Sequence, residues 1–310
     1  MTDVDIVLPC YNASAWVDHF VNRLLGFDMP SSWRLIARDD GSTDDTLSIL
    51  QRWKNELGER MILVDSSAGN LGVVGNYNAI LGATSARWIL TADPDDVWLP
   101  EHAALVLEEL RRAEKSSTPV AVATDAVVVN DDLSFVSASY WRWSHNIPAA
   151  HPTVRGIAME SPALGSTMAV NRALLDVALP IENGAAYQDW WLALAATAFG
   201  VLVTVPTATI QYRRHEQSLT GNPFAFSLTR ALGRISKAHG RVDFLIQQAG
   251  LQAIAFVERY ESRLSPRDAA ALRALGALSK MNPIARRASI IRHGLWFTWW
   301  MKNLGLLAFL

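Results

Sequence analysis

Arg87-Trp88-Ile89-Leu90-Thr91-Ala92-Asp93-Pro94-Asp95-Asp96-Val97-Trp98 sets an apolar run directly against three carboxylates. The run from Arg87 to Leu90 reads as a buried strand, and Pro100-Glu101 just beyond is a good helix start. Three carboxylates within four residues at the end of such a strand repel one another. A fold tolerates that crowding when a cation, or the phosphates a cation carries, sits among them. The D-x-D spacing suits a hard divalent ion, because oxygens from near neighbours face one point while other positions stay open to water and phosphate. The competing reading is a solvated acidic loop, and the surrounding sequence decides between the two.

Upstream, strand and helix patterns alternate. Val4 to Pro9 reads as a strand, with Ser14 as N-cap of a helix through Leu25. Leu35-Ile36-Ala37 is a second strand ending at Asp39-Asp40-Gly41-Ser42, and Thr43 to Thr46 caps a helix to about Leu57. Met61 to Val64 is a third strand and Val73 to Leu81 a third helix. This alternation predicts an α/β fold, a mostly parallel sheet with helices on both faces. Ligands of such sheets gather beyond the carboxyl ends of the strands. Three polar clusters fall there: Pro9 to Asn12, Asp39 to Ser42 and Asp93 to Asp96. No glycine-rich phosphate loop follows the first strand, which argues against a dinucleotide enzyme or a P-loop ATPase. Phosphates held through a metal solve the same electrostatic problem differently.

Downstream, Ala104 to Arg112 reads as an amphipathic helix and Val120 to Val129 as a long buried strand, with Leu133 to Val136 as hairpin partner. Residues 140–165 read as an irregular loop rich in Trp, Pro and His. Gly165 to Val170 is another strand, Gln188 opens a helix to Phe199, and Val201 to Val205 and Thr207 to Tyr212 are two strands. From about residue 224 the pattern is helical, with breaks near Gly240, Gly250, Ser265-Pro266 and Asn282-Pro283.

The chain has 310 residues, 50% hydrophobic, enough for one large α/β domain and an appendage. A single cysteine, Cys10, excludes a disulfide framework and fits a reducing cytoplasm. No basic-then-apolar leader opens the sequence, and no apolar run is long enough to span a bilayer. The net charge of −2 conceals an asymmetry. Residues 1–229 hold 15 Lys/Arg against 26 Asp/Glu, whereas residues 230–310 hold 13 against 4. Two parts with different surroundings follow from that split.

Seven motifs carry a family resemblance. They are Leu8-Pro9-Cys10-Tyr11-Asn12, the run from Asp39 to Thr46, the run from Asn70 to Asn78, Thr91 to Trp98, Gly165 to Arg172, Gln188 to Trp191, and Tyr212 to Ser218. In this order they resemble a family 2 glycosyltransferase of the GT-A fold, and the last four are most similar to the rhamnosyltransferase-like branch of bacterial surface-polysaccharide biosynthesis. The resemblance covers about residues 3–222. It implies a GT-A catalytic domain over 1–222, with a nucleotide-sugar half to about 98 and an acceptor half from about 99, followed by a helical region over 223–310.

The resemblance further implies site residues. Pro9, Tyr11 and Asn12 are expected near base and ribose, and Asp39 as acceptor of the base imide N–H. Asn70, Gly72 and Asn76 are expected to close the pocket. Helix capping competes for Asp39 and Asp40, and a plain turn glycine for Gly72. Asp93 and Asp95 are assigned to ribose, diphosphate and a Mg²⁺ or Mn²⁺ ion, Asp95 as the direct ligand and Asp96 as a brace. Pro94 stands where a polar residue is usual and stiffens the loop. His215 is a third metal or diphosphate ligand or a satisfied loop histidine, and Arg213 and Arg214 are cationic contacts to diphosphate. Ser166 and Thr167 shape the donor-sugar and acceptor pocket. Asp189 is the candidate general base of an inverting transfer, held ionised by its helix N-terminus, with Trp190 and Trp191 as an apolar wall for a sugar. Gln188 replaces the acidic residue often found before this aspartate. Capping competes for Asp189, and loop packing is the expectation for Trp141, Trp143, His145 and His151.

The implied activity is transfer of a sugar, with dTDP-rhamnose or a UDP-sugar as donor, to a saccharide or lipid-linked saccharide. A sugar nucleotidyltransferase and a non-catalytic saccharide- or lipid-binding subunit are the alternatives. The first would need a glycine- and lysine-rich first loop, which is absent; the second would not need Asp93, Asp95 and Asp189 intact. The basic, aromatic end of the chain reads as a segment lying on the anionic inner face of the cell membrane, or as a cap on the catalytic domain or a homodimer contact.

Overall fold

Val4-Asp5-Ile6-Val7-Leu8-Pro9-Cys10 is apolar on both faces, as a central strand with helices above and below must be. The computed structural model describes residues 2–29, 32–214 and 235–309. In it this segment is β1 (Val4–Cys10), hydrogen-bonded in parallel to β2 (Trp33–Asp39) on one side and β4 (Trp88–Thr91) on the other. β3 (Met61–Leu63) extends the sheet beyond β2. The crossovers are α1 (Val17–Leu25), α2 (Thr46–Leu57) and α3 (Gly72–Gly82). Because β1 sends its connection one way and β4 lies the other way, a crevice opens beyond their carboxyl ends.

The second half comprises β5 (Val97–Trp98), α4 (His102–Ala113), β6 (Val120–Asn130), β7 (Phe135–Ser137), α5 (Tyr140–Trp143), α6 (Val154–Met159), β8 (Met168–Asn171), α7 (Arg172–Ala178), α8 (Gln188–Phe199) and β9 (Val201–Arg214). The sheet runs β3-β2-β1-β4-β8-β6-β9-β5, with β7 on β6. β8 is antiparallel to both β4 and β6, and β9 is parallel to β6. The two strands expected over 201–212 are one. Pro206 is exposed, and the β6–β9 register shifts beside it, between Thr124 and Ala126, so its missing N–H breaks no regular ladder. Ser14 does not cap α1, which starts three residues later. Its backbone N–H donates instead to Asp44 Oδ2, joining the β1 and β2 loops. The loop over 140–165 carries two short helices and hangs from Asp125, which accepts from the Ser139 hydroxyl and the Trp141 N–H.

The C-terminal helices are α9 (Ile235–Tyr260), α10 (Pro266–Ala277), α11 (Pro283–His293) and α12 (Trp300–Phe309). The breaks expected at Ser265-Pro266 and Asn282-Pro283 are helix starts: Ser265 and Asn282 cap α10 and α11, each followed by Pro at the first helical position. The breaks expected at Gly240 and Gly250 do not occur. Gly250 instead lets α10 approach, since a Cβ there would lie 3.3 Å from the Leu275 carbonyl oxygen. α9 packs on the catalytic sheet layer through Phe256, whose ring centroid lies 5.1 Å from that of Trp191, and through Tyr260, whose hydroxyl donates to Val177 O at 2.7 Å. α9 thus packs against α7 and α8. The expected boundary at 222/223 lies outside the described residues. Among the described residues no helix is long and apolar enough to cross a membrane.

Candidate active site

The carboxyl ends of β1, β2 and β4 carry the three polar clusters, and the chain has to keep their loops from collapsing into one another. It does so with backbone hydrogen bonds. Asn12, at φ 47°, receives the Thr43 N–H on its Oδ1 at 2.9 Å while its own N–H donates to Ser42 Oγ at 2.8 Å. Asp39 accepts from the N–H groups of Gly41 and Ser42 through Oδ2, and its buried Oδ1 has no hydrogen-bond partner among the described residues. Capping at α2 falls to Asp44, which takes the Thr46 N–H and is held below the usual carboxylate range, at about 2, by hydrogen bonds from Thr46 and Ser14 that outweigh desolvation. Capping is thus not what Asp39 does.

Beside this loop lies a cationic knot absent from the sequence reading. The guanidinium of Arg38, fully buried, donates to Asp40 Oδ1 at 2.5 Å, Asn76 Oδ1 at 3.0 Å and the Gly69 carbonyl at 3.0 Å. Asp40 Oδ1 also accepts the Leu71 N–H at 2.8 Å. The knot fixes the Asn70–Gly72 turn over the β2 loop, and Gly72 has a left-handed φ of 69° that favours glycine.

A cleft of about 690 Å³ opens between these loops and the second half of the fold. Of the expected residues, Pro9, Tyr11, Asn12, Asn70, Gly72, Asn76, Asp93, Pro94, Asp95, Ser166, Gln188 and Asp189 line it. Tyr11 is 54% exposed at its rim. Asp39 is buried just beneath the β2 loop and is not on the wall, and Thr167 is buried with its hydroxyl on Leu164 O. Trp190 and Trp191 do not form a sugar wall. Both lie in the core, their indole N–H groups on Ile157 O and Ala178 O, because α8 turns them inward against α6, α7 and α9. Arg213 is likewise turned away from a phosphate role. Its Nε donates to Asp95 O at 2.9 Å and its backbone N–H to Asp96 Oδ1 at 3.0 Å, so it clamps the acidic loop onto β9. Arg214 lies over the Trp143 ring, 5.2 Å from its centroid. His215 lies outside the described residues.

Asp96 braces the loop, as expected. The Ser166 hydroxyl donates to its Oδ2, and burial beside Asp95 and Asp93 pushes its carboxyl well up. Asp93 is also pushed up, by burial first and then by Asp95 and Asp189, with Tyr77 donating to its Oδ1 at 3.3 Å. Asp189 rises to about 7 because burial outweighs the backbone N–H bonds of Trp190 and Gly165. Burial therefore overrides the expected ionising effect of the α8 N-terminus. The Tyr77 hydroxyl sits between Asp93 and the Gln188 side chain, whose Oε1 has no partner among the described residues. Tyr77 and Tyr187 line the cleft without having been singled out in the sequence; Tyr77 was hidden inside the apolar stripe of α3.

Two carboxylates on one stiff loop, mutually repelling and facing a cleft, fit a divalent cation. Among the described residues no group of three or more His, Cys, Asp or Glu forms a complete ligand cluster. A cation held there would take its other ligands from phosphate oxygens and water, the usual arrangement for Mg²⁺.

The family model described as "Glycosyl transferase family 2" matches residues 5–148. This stretch is therefore similar to family 2 glycosyltransferases. It contains β1 to β7 and the acidic loop, whereas Gln188 and Asp189 lie beyond the matched residues. Its relatives include the poly(ribitol-phosphate) β-N-acetylglucosaminyltransferase TarS of Staphylococcus aureus, 27% identical over 97 residues, 31% of this chain and 17% of TarS. The putative teichuronic acid biosynthesis glycosyltransferase TuaG of Bacillus subtilis is 33% identical over 95 residues, 31% of this chain and 36% of TuaG. The matches thus span well under two thirds of either relative. Residues 1–349 of S. aureus TarS in complex with UDP-GlcNAc superpose with a TM-score of 0.54 at 14% identity, over 95% of this chain and 93% of that one. The mannosyltransferase PcManGT of Pyrobaculum calidifontis, in complex with GDP-Man and Mn²⁺, gives 0.53 at 18% identity over 95% and 88%. The fold is that of GT-A glycosyltransferases, and the stretch similar to family 2 is its N-terminal half.

Proposed function

We propose that the protein is an inverting, metal-dependent glycosyltransferase that moves a sugar from a nucleoside diphosphate to a saccharide acceptor in cell-surface polysaccharide assembly. The observation that carries this is the convergence on one cleft of Asp93 and Asp95 from the β4 loop and Asp189 from the start of α8. Tyr11 at the rim offers its exposed ring to a base, and Asp39 Oδ1, beneath the same loop, is an unused acceptor for an imide N–H. Asp93 and Asp95 would hold a divalent cation, Mg²⁺ or Mn²⁺, which would supply positive charge against the diphosphate. TarS and PcManGT were solved with UDP-GlcNAc and with GDP-Man and Mn²⁺ respectively, which supports a nucleotide-sugar donor and a cation for this cleft.

In this reading Asp189 takes the proton of the acceptor hydroxyl as its oxygen bonds to the anomeric carbon. The bond from that carbon to the diphosphate oxygen breaks, and the nucleoside diphosphate leaves with the electron pair. A carboxyl that titrates at about 7 is well matched to that proton transfer. Asp189→Asn should keep donor affinity and lose turnover by about 10²–10⁴-fold, the usual worth of a general base. Release of nucleoside diphosphate measured with Mn²⁺ checks this, and a variant as active as the native chain would remove Asp189 from the mechanism. Thermal shifts against dTDP-rhamnose, UDP-GlcNAc, UDP-glucose and GDP-mannose then select the donor, since the preferred ligand stabilises most.

A further inference from the structure

Asp268 is the last acidic residue of the chain. The residues after it carry Arg273, Lys280, Arg286, Arg287, Arg292 and Lys302 and no negative side chain. Within this stretch α11 and α12 each bury one face and leave an apolar one outside. Ile290 and Leu306 are buried, whereas Ile284 is 80% exposed, Ile291 60%, Trp300 65% and Leu304 58%. Ile284, Ala288 and Ile291 are all exposed and fall on one side of α11, with exposed Arg292 flanking them; Trp300 and Leu304 lie one turn apart on α12. Arg287 Nε donates to Leu307 O at 2.7 Å and so ties the two helices together. Large side chains this exposed, repeated at helical spacing beside cations, mark a surface with something to bind.

The charge pattern selects the occupant. Lys302 and Arg273 already pair with Glu160 and Glu261, but Lys280 and Arg292 are exposed, and a second copy would set them against their own kind on a stretch with no carboxylate to answer them. A sheet of lipid phosphates answers both features at once: apolar side chains enter the acyl boundary while the cations meet the headgroups. The placement agrees with this. Lys302 on α12 donates to Glu160, and Trp299 stacks on His145 at 3.9 Å. Both partners belong to the 140–165 segment, whose α6 carbonyl at Ile157 receives the Trp190 indole beside Asp189. We propose that the outer faces of α11 and α12 dock on an anionic lipid bilayer, with Ile284, Ile291, Trp300 and Leu304 inserted and Arg292 against lipid phosphate. The inference does not depend on the proposed sugar transfer, because it is read by binding alone.

The test is co-sedimentation of the full chain with phosphatidylcholine vesicles and with vesicles that also contain phosphatidylglycerol. The chain should pellet with the anionic vesicles, less so as salt rises, and remain largely in solution with the neutral ones. The triple variant Ile284→Glu, Ile291→Glu, Leu304→Glu should bind about tenfold more weakly or worse, and Arg292→Glu should lose mainly the phosphatidylglycerol preference. All four positions are exposed, so melting temperature should not change and serves as the folding control. Native protein that stays in solution with anionic vesicles overturns the proposal, as does a triple variant that pellets equally well. Light scattering that finds a native dimer dissolved by the same variant also overturns it, by giving the face to a second copy.

Discussion

The buried guanidinium of Arg38 shows how one residue can hold two loops of the cleft without lining the cleft itself. It satisfies Asp40 after β2, the Gly69 carbonyl before α3 and Asn76 within α3 together. Arg38→Met would leave Asp40 as an unanswered buried charge, a loss of about 3–5 kcal/mol by the usual cost of breaking such a pair. Urea unfolding measures it, and Arg38→Met/Asp40→Asn should recover part of the loss. The sequence displayed Asp40 and Asn76 as site residues but gave no sign that Arg38 joins them, because its partners lie 2 and 38 residues away. The same applies to Arg213: in a run of two arginines before a histidine it looks like a phosphate ligand, and only the antiparallel β5–β9 pairing reveals that it faces the back of the acidic loop. Tyr77 is the converse, a cleft residue that reads as core until Asp93 is brought to its hydroxyl.

At the level of the elements, α4 docks on β9 through His102, which is fully buried. Its Nδ1 lies 2.7 Å from Thr209 Oγ1, itself 2.6 Å from Thr124 Oγ1 on β6. Desolvation pulls the imidazole down to about 3, so the folded chain keeps it neutral. The unfolded chain protonates it near 6.5, hence binds the extra proton between about pH 6.5 and 3, and stability falls as pH drops through that window. The loss is about 1.4 kcal/mol per pH unit within it. Unfolding free energies over this range should fall more steeply for the native chain than for His102→Gln; parallel slopes would remove the histidine from the explanation. The β-α alternation through β4 was legible because each element repeats its period over enough residues to be read. β9 was not, since Pro206 reads as a break and only the shifted β6 register makes it harmless. The C-terminal glycines misled for a related reason: a helix interior tolerates glycine when a neighbouring backbone needs the space, and that neighbour, Leu275 beside Gly250, is distant in sequence.

On the scale of the molecule, the two halves of the cleft come from segments with different physics. The parallel half presents loops braced by backbone hydrogen bonds, and the mixed half presents the start of α8 backed by an aromatic packing of Trp191, Phe199, Phe256 and Tyr260. Trp191→Ala should therefore cost about 3–5 kcal/mol of stability, as for other large core truncations, rather than acting on sugar affinity alone. Thermal melting in the presence and absence of donor separates the two. The acidic loop lies where the halves meet, and its charge is legible in the sequence as an unresolved repulsion, whereas the buried Tyr77 that shares its space is not. The central claim is that Asp93 and Asp95 hold a cation that in turn grips a donor's diphosphate. The direct measurement is calorimetric titration of the native chain and of Asp93→Ala/Asp95→Ala with the best donor from the panel, with Mn²⁺ and with chelator. The account predicts tight donor binding only for the native chain with Mn²⁺, and equal affinity in all four titrations would contradict it.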